Sequence, residues 1–183
     1  ACGIGFYANM DSLRTHDIVL KSLEMLTRLD HRGGIGADGM TGDGAGIMTE
    51  IPHDLLKEEY SELPEFSRYS VGMYMLESGA SLDEFKMIVE ETINTENEEL
   101  IAFRKVPVDE SAIAEHVKQT MPYFIQVITK CHDPLDLYYL RKMIEQNLNA
   151  DMVEHYVSSF SNETIVYKAV SYTHLTLPTK RIV

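Results

Sequence analysis

The chain has few basic residues, few cysteines and no tryptophan. Its 183 residues include 16 Lys and Arg against 29 Asp and Glu, which gives a formal net charge of -13. Nucleic acids and anionic membrane surfaces bind clustered Lys and Arg, so this balance argues against either partner. Cys2 and Cys131 are the two cysteines, and neither belongs to a CxxC pair. A disulfide framework and a structural zinc site are therefore not expected.

Long apolar runs are also lacking, although 44% of the residues are hydrophobic. This composition fits a soluble globular protein with one sizeable core, and no segment is apolar for long enough to span a bilayer. The sequence does not start with the basic and apolar regions of a secretory leader. We therefore expect a cytoplasmic location.

The apolar residues that are present follow strand and helix periods in alternation, which predicts a mixed α and β architecture. Helices are predicted from about Thr15 to residues 31–33, near residues 55–60, and over 82–93, 111–121 and 134–148. Strands are predicted over 2–9, 45–51, 68–76, 99–108 and 123–130, with two closing strands within 152–169. In the first strand Ile4, Phe6 and Ala8 share one face. Gly3 and Gly5 leave the other face bare, which suggests that another part of the chain approaches it closely.

Glycine is concentrated in one place. Residues 31–46 read HRGGIGADGMTGDGAG and hold seven of the chain's 11 glycines. Glycine adopts positive φ without steric cost and lets other groups approach the main chain. The segment is therefore predicted to be a shaped loop and not a flexible linker.

Part of this loop, Gly34–Gly39, matches the GxGxxG dinucleotide-binding pattern. The pattern works when a strand ends before it and a helix starts within it, so that helix N-terminal amides meet the pyrophosphate. Here a predicted helix precedes the loop, and the glycines that follow cannot open a helix. A P-loop is missing its Lys-Ser or Lys-Thr, and Asp38 and Asp43 do not have EF-hand spacing. A non-catalytic nucleotide-binding module that uses Gly34–Gly39 is the alternative function.

Three stretches together carry a family resemblance. They are CGIGFYAN at residues 2–9, LDHRGGIGADGMTGDGAGIMTEIP at 29–52 and NETIVYK at 162–168. They resemble the class II, N-terminal nucleophile glutamine amidotransferase domain of the glutamate synthase large chain. The resemblance covers residues 2–168. It implies an N-terminal nucleophile hydrolase fold, a four-layer αββα sandwich that is incomplete in this chain.

The resemblance implies that Cys2 is the catalytic nucleophile and L-glutamine the substrate. A thiolate is the best side-chain nucleophile at neutral pH, and an α-amine with a pKa near ~8 can take its proton. Ala1 precedes Cys2 and would be the remnant of a propeptide whose removal frees that amine. Arg32, Gly33 and Gly34 would form a loop that supports the active site, with Arg32 bracing the N-terminal segment. An Arg32 that complements the dipole at the end of a helix is the competing interpretation.

The same resemblance implies partners outside this segment. Ammonia would pass to synthase domains of the same polypeptide, which aminate 2-oxoglutarate reductively with FMN, an iron–sulphur cluster and either NADPH or ferredoxin as donor. No cofactor or metal is expected in the segment itself. The family's substrate-binding arginine and its Asn-Gly oxyanion pair have no match here. Since one oxyanion donor is typically worth about 10²-fold in rate or more, we expect the fragment to be inactive.

Two further features are interpreted separately. Cys131 stands next to His132 and could be a reactive thiol, although an ordinary strand-end cysteine explains it better. Residues 169–183 read AVSYTHLTLPTKRIV and contain no acidic residue. They resemble a translated sequencing adapter, so the domain is predicted to end at residue 168. The competing interpretation is a strand with alternating Thr and Leu.

Overall fold

The computed structural model describes residues 3–11, 13–29, 33–34 and 44–169. Cys2, Arg32, most of the glycine-rich loop and the tail after residue 169 lie outside the described residues. The predictions made for them are therefore not tested by the fold.

Helices and strands alternate along the described chain, as the apolar periods predict. The helices are α1 (His16–Arg28), α2 (His53–Glu59), α3 (Leu82–Thr95), α4 (Glu115–Lys118) and α5 (Pro134–Ala150). The strands are β1 (Ala45–Glu50), β2 (Ser70–Leu76), β3 (Leu100–Lys105), β4 (Tyr123–Thr129), β5 (His155–Ser161) and β6 (Thr164–Ala169). Most of the predicted elements are thus confirmed to within a few residues at each end.

Four strands form an antiparallel sheet in the order β3-β4-β2-β5. One face of this sheet and helices α3 and α5 enclose what we call the first core. Its members include Tyr74, Leu76, Phe85, Ile88, Val89, Ile93, Ile125, Val127, Leu137, Leu140, Ile144, Leu148 and Val157. The helix residues repeat at three- and four-residue spacing, so each helix turns one apolar stripe towards the sheet.

The opposite face of the sheet belongs to a second core. Val71 and Met73 of β2 point into it because side chains alternate along a strand. Leu56 of α2 and Ile165 of β6 close it from the other side. β6 pairs antiparallel with β1 in a two-stranded ribbon. The order of packing is therefore helices, sheet and ribbon, which gives three layers of an αββα arrangement.

Serines of β5 attach the ribbon to the sheet. The register between β2 and β5 shifts between Met73 and Tyr74, which leaves Ser158 as the extra residue of a β-bulge. The Ser158 hydroxyl donates to the Val166 carbonyl at 3.0 Å, and the Ser159 hydroxyl accepts from the Val166 N–H at 3.0 Å. Because Val166 pairs with Met48 of β1, these bonds fix the strand that directly follows the glycine-rich loop.

Two sequence predictions need correction. The predicted helix over 111–121 is a 3-10 turn at Glu110–Ala112 followed by the single turn α4. Asp109 accepts hydrogen bonds from the N–H and the hydroxyl of Ser111, and Ile113 then takes an extended conformation that interrupts the helix. The apolar residues of this stretch are half-buried, so packing does not compensate for the break.

The second correction concerns the predicted strand over 2–9. Residues 3–9 have no regular secondary structure, and no described strand pairs with them. A strand needs a hydrogen-bonded neighbour, and the described part of the chain offers this segment a helix surface instead. The two glycines of the predicted bare face, Gly3 and Gly5, lie against side chains of α1 and its C-terminal end.

Candidate active site

The N-terminal segment, residues 3–9, lies along helix α1. A Cβ atom built on Gly3 would lie 3.2 Å from Cδ2 of Leu29, and one built on Gly5 would lie 2.6 Å from the sulfur of Met25. The glycines are therefore the positions of closest approach between the segment and the helix. The bare face predicted from the sequence is occupied by the side chains of α1.

Tyr7 continues the same row of contacts. The Nζ atom of Lys21 lies 5.4 Å from the centre of the Tyr7 ring, and it also donates a hydrogen bond to the Asp17 carboxylate at 2.6 Å. The hydrogen bond to Asp17, followed by the interaction with Tyr7, raises the pKa of Lys21 above its ordinary value. Lys21 therefore stays charged where it meets the tyrosine ring.

The other face of the N-terminal segment is open. Ile4 is 98% exposed and Phe6 is 90% exposed, and Ala8 is exposed as well. The three residues that share a face in the sequence pattern thus share the solvent-facing side in the structure. Of the odd-numbered residues, Gly3 and Asn9 are half-buried, whereas Gly5 and Tyr7 are exposed.

Helix α1 itself is held against the β1–β6 ribbon. Val19 is buried against Ile47 of β1, with Leu23 and Tyr167 packed around them. The helix begins after Thr15, whose backbone is extended, and it ends at Leu29, whose N–H bonds to the carbonyl of Leu26. The helix that faces the N-terminal segment therefore packs on the strand that follows the glycine-rich loop.

The described ends of the glycine-rich loop lie at Gly33–Gly34 and at Gly44. Gly33 is half-buried and Gly34 is exposed. Within β1, a Cβ on Gly46 would come to 3.0 Å from the backbone carbonyl oxygen of Tyr167 in β6. A larger residue there would have to displace the Tyr167 carbonyl by a few tenths of an ångström, so glycine favours close pairing of the two strands.

The order of elements around the loop bears on the nucleotide-binding alternative. Helix α1 precedes the loop and strand β1 follows it. A dinucleotide site needs the reverse order, with a strand before the glycines and a helix after them. The elements that flank Gly34–Gly39 therefore do not support a nucleotide-binding module.

Charged side chains near α1 and β1 are paired. Arg14 donates to the Glu50 carboxylate at 2.8 Å, and its guanidinium carbon lies 4.2 Å from the centre of the Phe66 ring. Arg28 pairs with Glu24 one turn earlier on the helix. Among the described residues, no group of three or more His, Cys, Asp or Glu side chains is arranged to hold a metal ion.

Cys131 is not a reactive thiol in this structure. Its side chain is 2% exposed. Burial, and after it the nearby Glu98 carboxylate, raise the pKa of the Cys131 thiol to about 12. The neighbouring His132 uses Nδ1 to contact the Lys130 carbonyl at 2.9 Å. Since the thiolate is the nucleophilic form, Cys131 is an inert core residue at neutral pH.

Of the expected site residues, the structure describes Gly33 and Gly34. Gly33 and Gly34 begin four residues after Leu29, which contacts Gly3, and Gly3 is bonded to Cys2. Cys2 and Arg32 lie outside the described residues, so their side chains have no described geometry. Sequence reasoning missed the stripe of Lys21, Met25 and Leu29. The signal that could have revealed this stripe is a pair of spacings. Lys21, Met25 and Leu29 recur every four residues on one face of a helix, and Gly3, Gly5 and Tyr7 recur every two residues on one face of an extended chain.

Comparison with known families defines the class. The model of class-II glutamine amidotransferases matches residues 2–176, and the chain belongs to this family. Its fold is the N-terminal nucleophile hydrolase fold, and the helix, sheet and ribbon layers are an incomplete form of that sandwich.

Three similar proteins are named as glutamate synthases. The chain is 39% identical to the ferredoxin-dependent glutamate synthase 2, chloroplastic, of Arabidopsis thaliana, and 37% identical to the NADPH glutamate synthase large chain of Bacillus subtilis (strain 168). It is also 37% identical to the ferredoxin-dependent glutamate synthase of Antithamnion sp.. Each alignment covers 93% of this chain but only 11–12% of the relative.

Proposed function

We propose that this chain is the N-terminal part of the glutaminase domain of a glutamate synthase, with Cys2 as its nucleophile. Membership of the class-II amidotransferases supports the reaction type, and the similarity to glutamate synthases supports the particular enzyme. The domain would span residues 2–168. Arg32, Gly33 and Gly34 would support the active site as a loop beside Cys2.

One structural observation carries this proposal. The contact between Gly3 and Leu29 holds the start of the chain at the last turn of α1, and the glycine-rich loop begins directly after that turn. Cys2 is bonded to Gly3, and Arg32 precedes Gly33. This contact supports the proposal that Cys2 and Arg32 lie close together.

The proposed chemistry follows from a thiol at a free amino terminus. The α-amine accepts the Cys2 thiol proton, and the thiolate attacks the side-chain carbonyl carbon of L-glutamine. The C–N bond breaks, ammonia leaves with the proton returned by the amine, and a thioester remains. Water then hydrolyses the thioester to glutamate and restores the thiol. Ala1 ties the amine into a peptide bond, so its removal must precede catalysis.

The complete protein would use the ammonia elsewhere on the same polypeptide. The relatives are named for ferredoxin or NADPH, which supports one of these as the electron donor. The proposed reaction is a reductive amination of 2-oxoglutarate with FMN and an iron–sulphur cluster, as the family resemblance implies. An iron–sulphur cluster takes several cysteine ligands, whereas this chain has Cys2 and the buried Cys131. The residues present do not fit the cluster, which we assign to other parts of the polypeptide.

A cytoplasmic location stays a prediction for this chain, and several of its relatives carry chloroplastic names. No helix in the described ranges is both long and apolar enough to cross a membrane.

A chimaeric enzyme tests the proposal. Residues 2–168 would replace the aligned N-terminal segment of the Bacillus subtilis large chain, so that Cys2 becomes the first residue. We expect glutaminase activity and covalent labelling of Cys2 by the glutamine analogue 6-diazo-5-oxo-norleucine. Cys2→Ser should abolish both, whereas the matched Cys131→Ser variant should retain them. A chimaera that restores Ala1 without cleavage should not be labelled.

Two results would overturn the proposal. A folded, active chimaera that keeps its activity after Cys2→Ser would show that another group is the nucleophile. Stabilisation of the chain by NAD in a thermal shift assay, without labelling of Cys2 in the chimaera, would favour the nucleotide-binding alternative.

A further inference from the structure

The N-terminal segment and helix α1 meet at regular intervals. Gly3 contacts Leu29, Gly5 contacts Met25, and Tyr7 contacts Lys21. The contacts move two residues forward along the segment for every four residues backward along the helix.

These two steps have nearly the same length. Two residues of an extended chain cover about 6.6 Å, and four residues of an α-helix cover about 6.0 Å. An extended segment that runs antiparallel to α1 can therefore keep its odd-numbered residues on one stripe of the helix. We call Lys21, Met25 and Leu29 the α1 track.

The close fit selects one register. A Cβ on Gly3 would lie 3.4 Å from Cβ of Leu29, and a Cβ on Gly5 would overlap the Met25 sulfur at 2.6 Å. Sliding the segment by one residue would present Ile4 or Phe6 to the track, and the Leu29 and Met25 side chains would then have to move. Sliding it by two residues would separate Tyr7 from the Lys21 ammonium, to which it is bound.

We propose that the α1 track is a positioning device that sets the register of the N-terminal segment, to which Cys2 is bonded. This inference rests on the proposed function for its catalytic consequence. Met25 is its central positioning residue because it fills the space left by Gly5. None of the three track residues needs to touch the substrate.

The first test measures the register without any activity. In a Cys2→Ser background of the 183-residue chain, the pair Gly3→Cys and Leu29→Cys should form a disulfide in glutathione buffer, since its Cβ atoms fit the required separation. The matched pair Gly5→Cys and Leu29→Cys is displaced by about 6.6 Å and should stay reduced. Alkylation followed by intact mass measurement counts the free thiols. Equal oxidation of both pairs would overturn the proposed register.

The second test measures catalysis in the chimaeric enzyme. Gly5→Val should lower kcat for glutamine hydrolysis about 10- to 100-fold with little change in KM, because a displacement of about 1 Å at the nucleophile can cost that much. Met25→Ala added to Gly5→Val makes room for the new side chain and should recover most of the loss. Ala8→Val adds the same bulk on the exposed face and should leave kcat unchanged.

The outcomes separate the two ideas. An active chimaera whose kcat is unaffected by Gly5→Val, or is not recovered by Met25→Ala, would overturn the positioning role and leave the proposed function standing. An inactive parent chimaera with a selective Gly3–Leu29 crosslink would overturn the proposed function and leave the register standing. The crosslink also decides the register if Gly5→Val fails to fold.

Discussion

Apolar side chains are buried in the first core, whereas several of those in the N-terminal segment are exposed to solvent. Phe85 in the first core is fully buried between the rings of Tyr74 and Phe103, whereas Phe6 in the N-terminal segment is 90% exposed. The first core is formed by elements that follow one another in sequence from β2 to β5, and the structure describes each of the strands and helices that enclose it. The N-terminal region holds the expected chemistry but buries little surface. Stability and function should therefore respond to different substitutions.

The largest expected effect comes from the same substitution made in both regions. Phe85→Ala removes a buried ring and should lower the free energy of unfolding by about 3–5 kcal/mol, since the surrounding helices cannot close the cavity. Phe6→Ala should change it by no more than about 0.5 kcal/mol. Urea unfolding followed by far-UV circular dichroism measures both. Similar losses would show that the two regions form one cooperative core.

A buried ion pair and an exposed one extend the comparison. Arg104 is 8% exposed and donates to both Glu59 oxygens, at 2.5 and 2.7 Å, and to Gln126 at 3.2 Å. Arg104→Met should cost about 2 kcal/mol, below the 3–5 kcal/mol typical of a broken buried pair, because the Glu59 side chain is 40% exposed and can be hydrated.

The matched substitution on the N-terminal side is Arg14→Met. Arg14 pairs with Glu50, and both side chains are more than 40% exposed. Such pairs contribute about 1 kcal/mol at most, so the expected loss is smaller than at Arg104. Urea midpoints of the two variants, measured at equal salt, give the comparison. A larger loss of stability in Arg14→Met than in Arg104→Met would mean that the contact between Arg14 and the Phe66 ring stabilises this region strongly.

The pair of Arg104 and Glu59 should also give stability a pH dependence. The hydrogen bonds from Arg104 hold the pKa of Glu59 below its ordinary value of 4.5. Because the folded state then binds the proton less readily than the unfolded state, this contribution is complete above pH ~5 and is lost as the pH falls through the folded pKa. Arg104→Met should flatten the stability profile in that acid range. Urea unfolding of the parent chain and the variant at several pH values measures both slopes, and equal slopes would contradict the assignment.

The sequence predicts the first core well because the spacing of apolar residues within each helix is enough to identify the buried face. The repeats of Leu82 to Ile93 and Leu137 to Leu148 each define one helical stripe, and each stripe is buried as expected. The order of elements around the glycine-rich loop, with α1 before it and β1 after it, was also predicted correctly, because apolar spacing identifies a helix and a strand.

The N-terminal segment shows why the remaining prediction was incomplete. Its alternation indicates that odd- and even-numbered residues have different surroundings, but not whether a strand or a helix supplies them. Gly3 and Gly5 face Leu29 and Met25, which lie 26 and 20 residues away in sequence. A contact across that distance depends on how α1 packs on Ile47, and no local pattern encodes that packing.

The smallest expected effect concerns the starts of helices in the two regions. Ser81 caps α3 by accepting a hydrogen bond from the Glu84 N–H at 3.2 Å, whereas Thr15 at the start of α1 makes no such side-chain bond. Ser81→Ala should therefore lower the free energy of unfolding by about 0.5–1 kcal/mol, and Thr15→Ala should leave it nearly unchanged. Thermal unfolding of the two variants beside the parent chain measures the difference. Equal losses would mean that Thr15 forms a cap in solution, and α1 would then be anchored by its own first turn as well as by its packing on the ribbon.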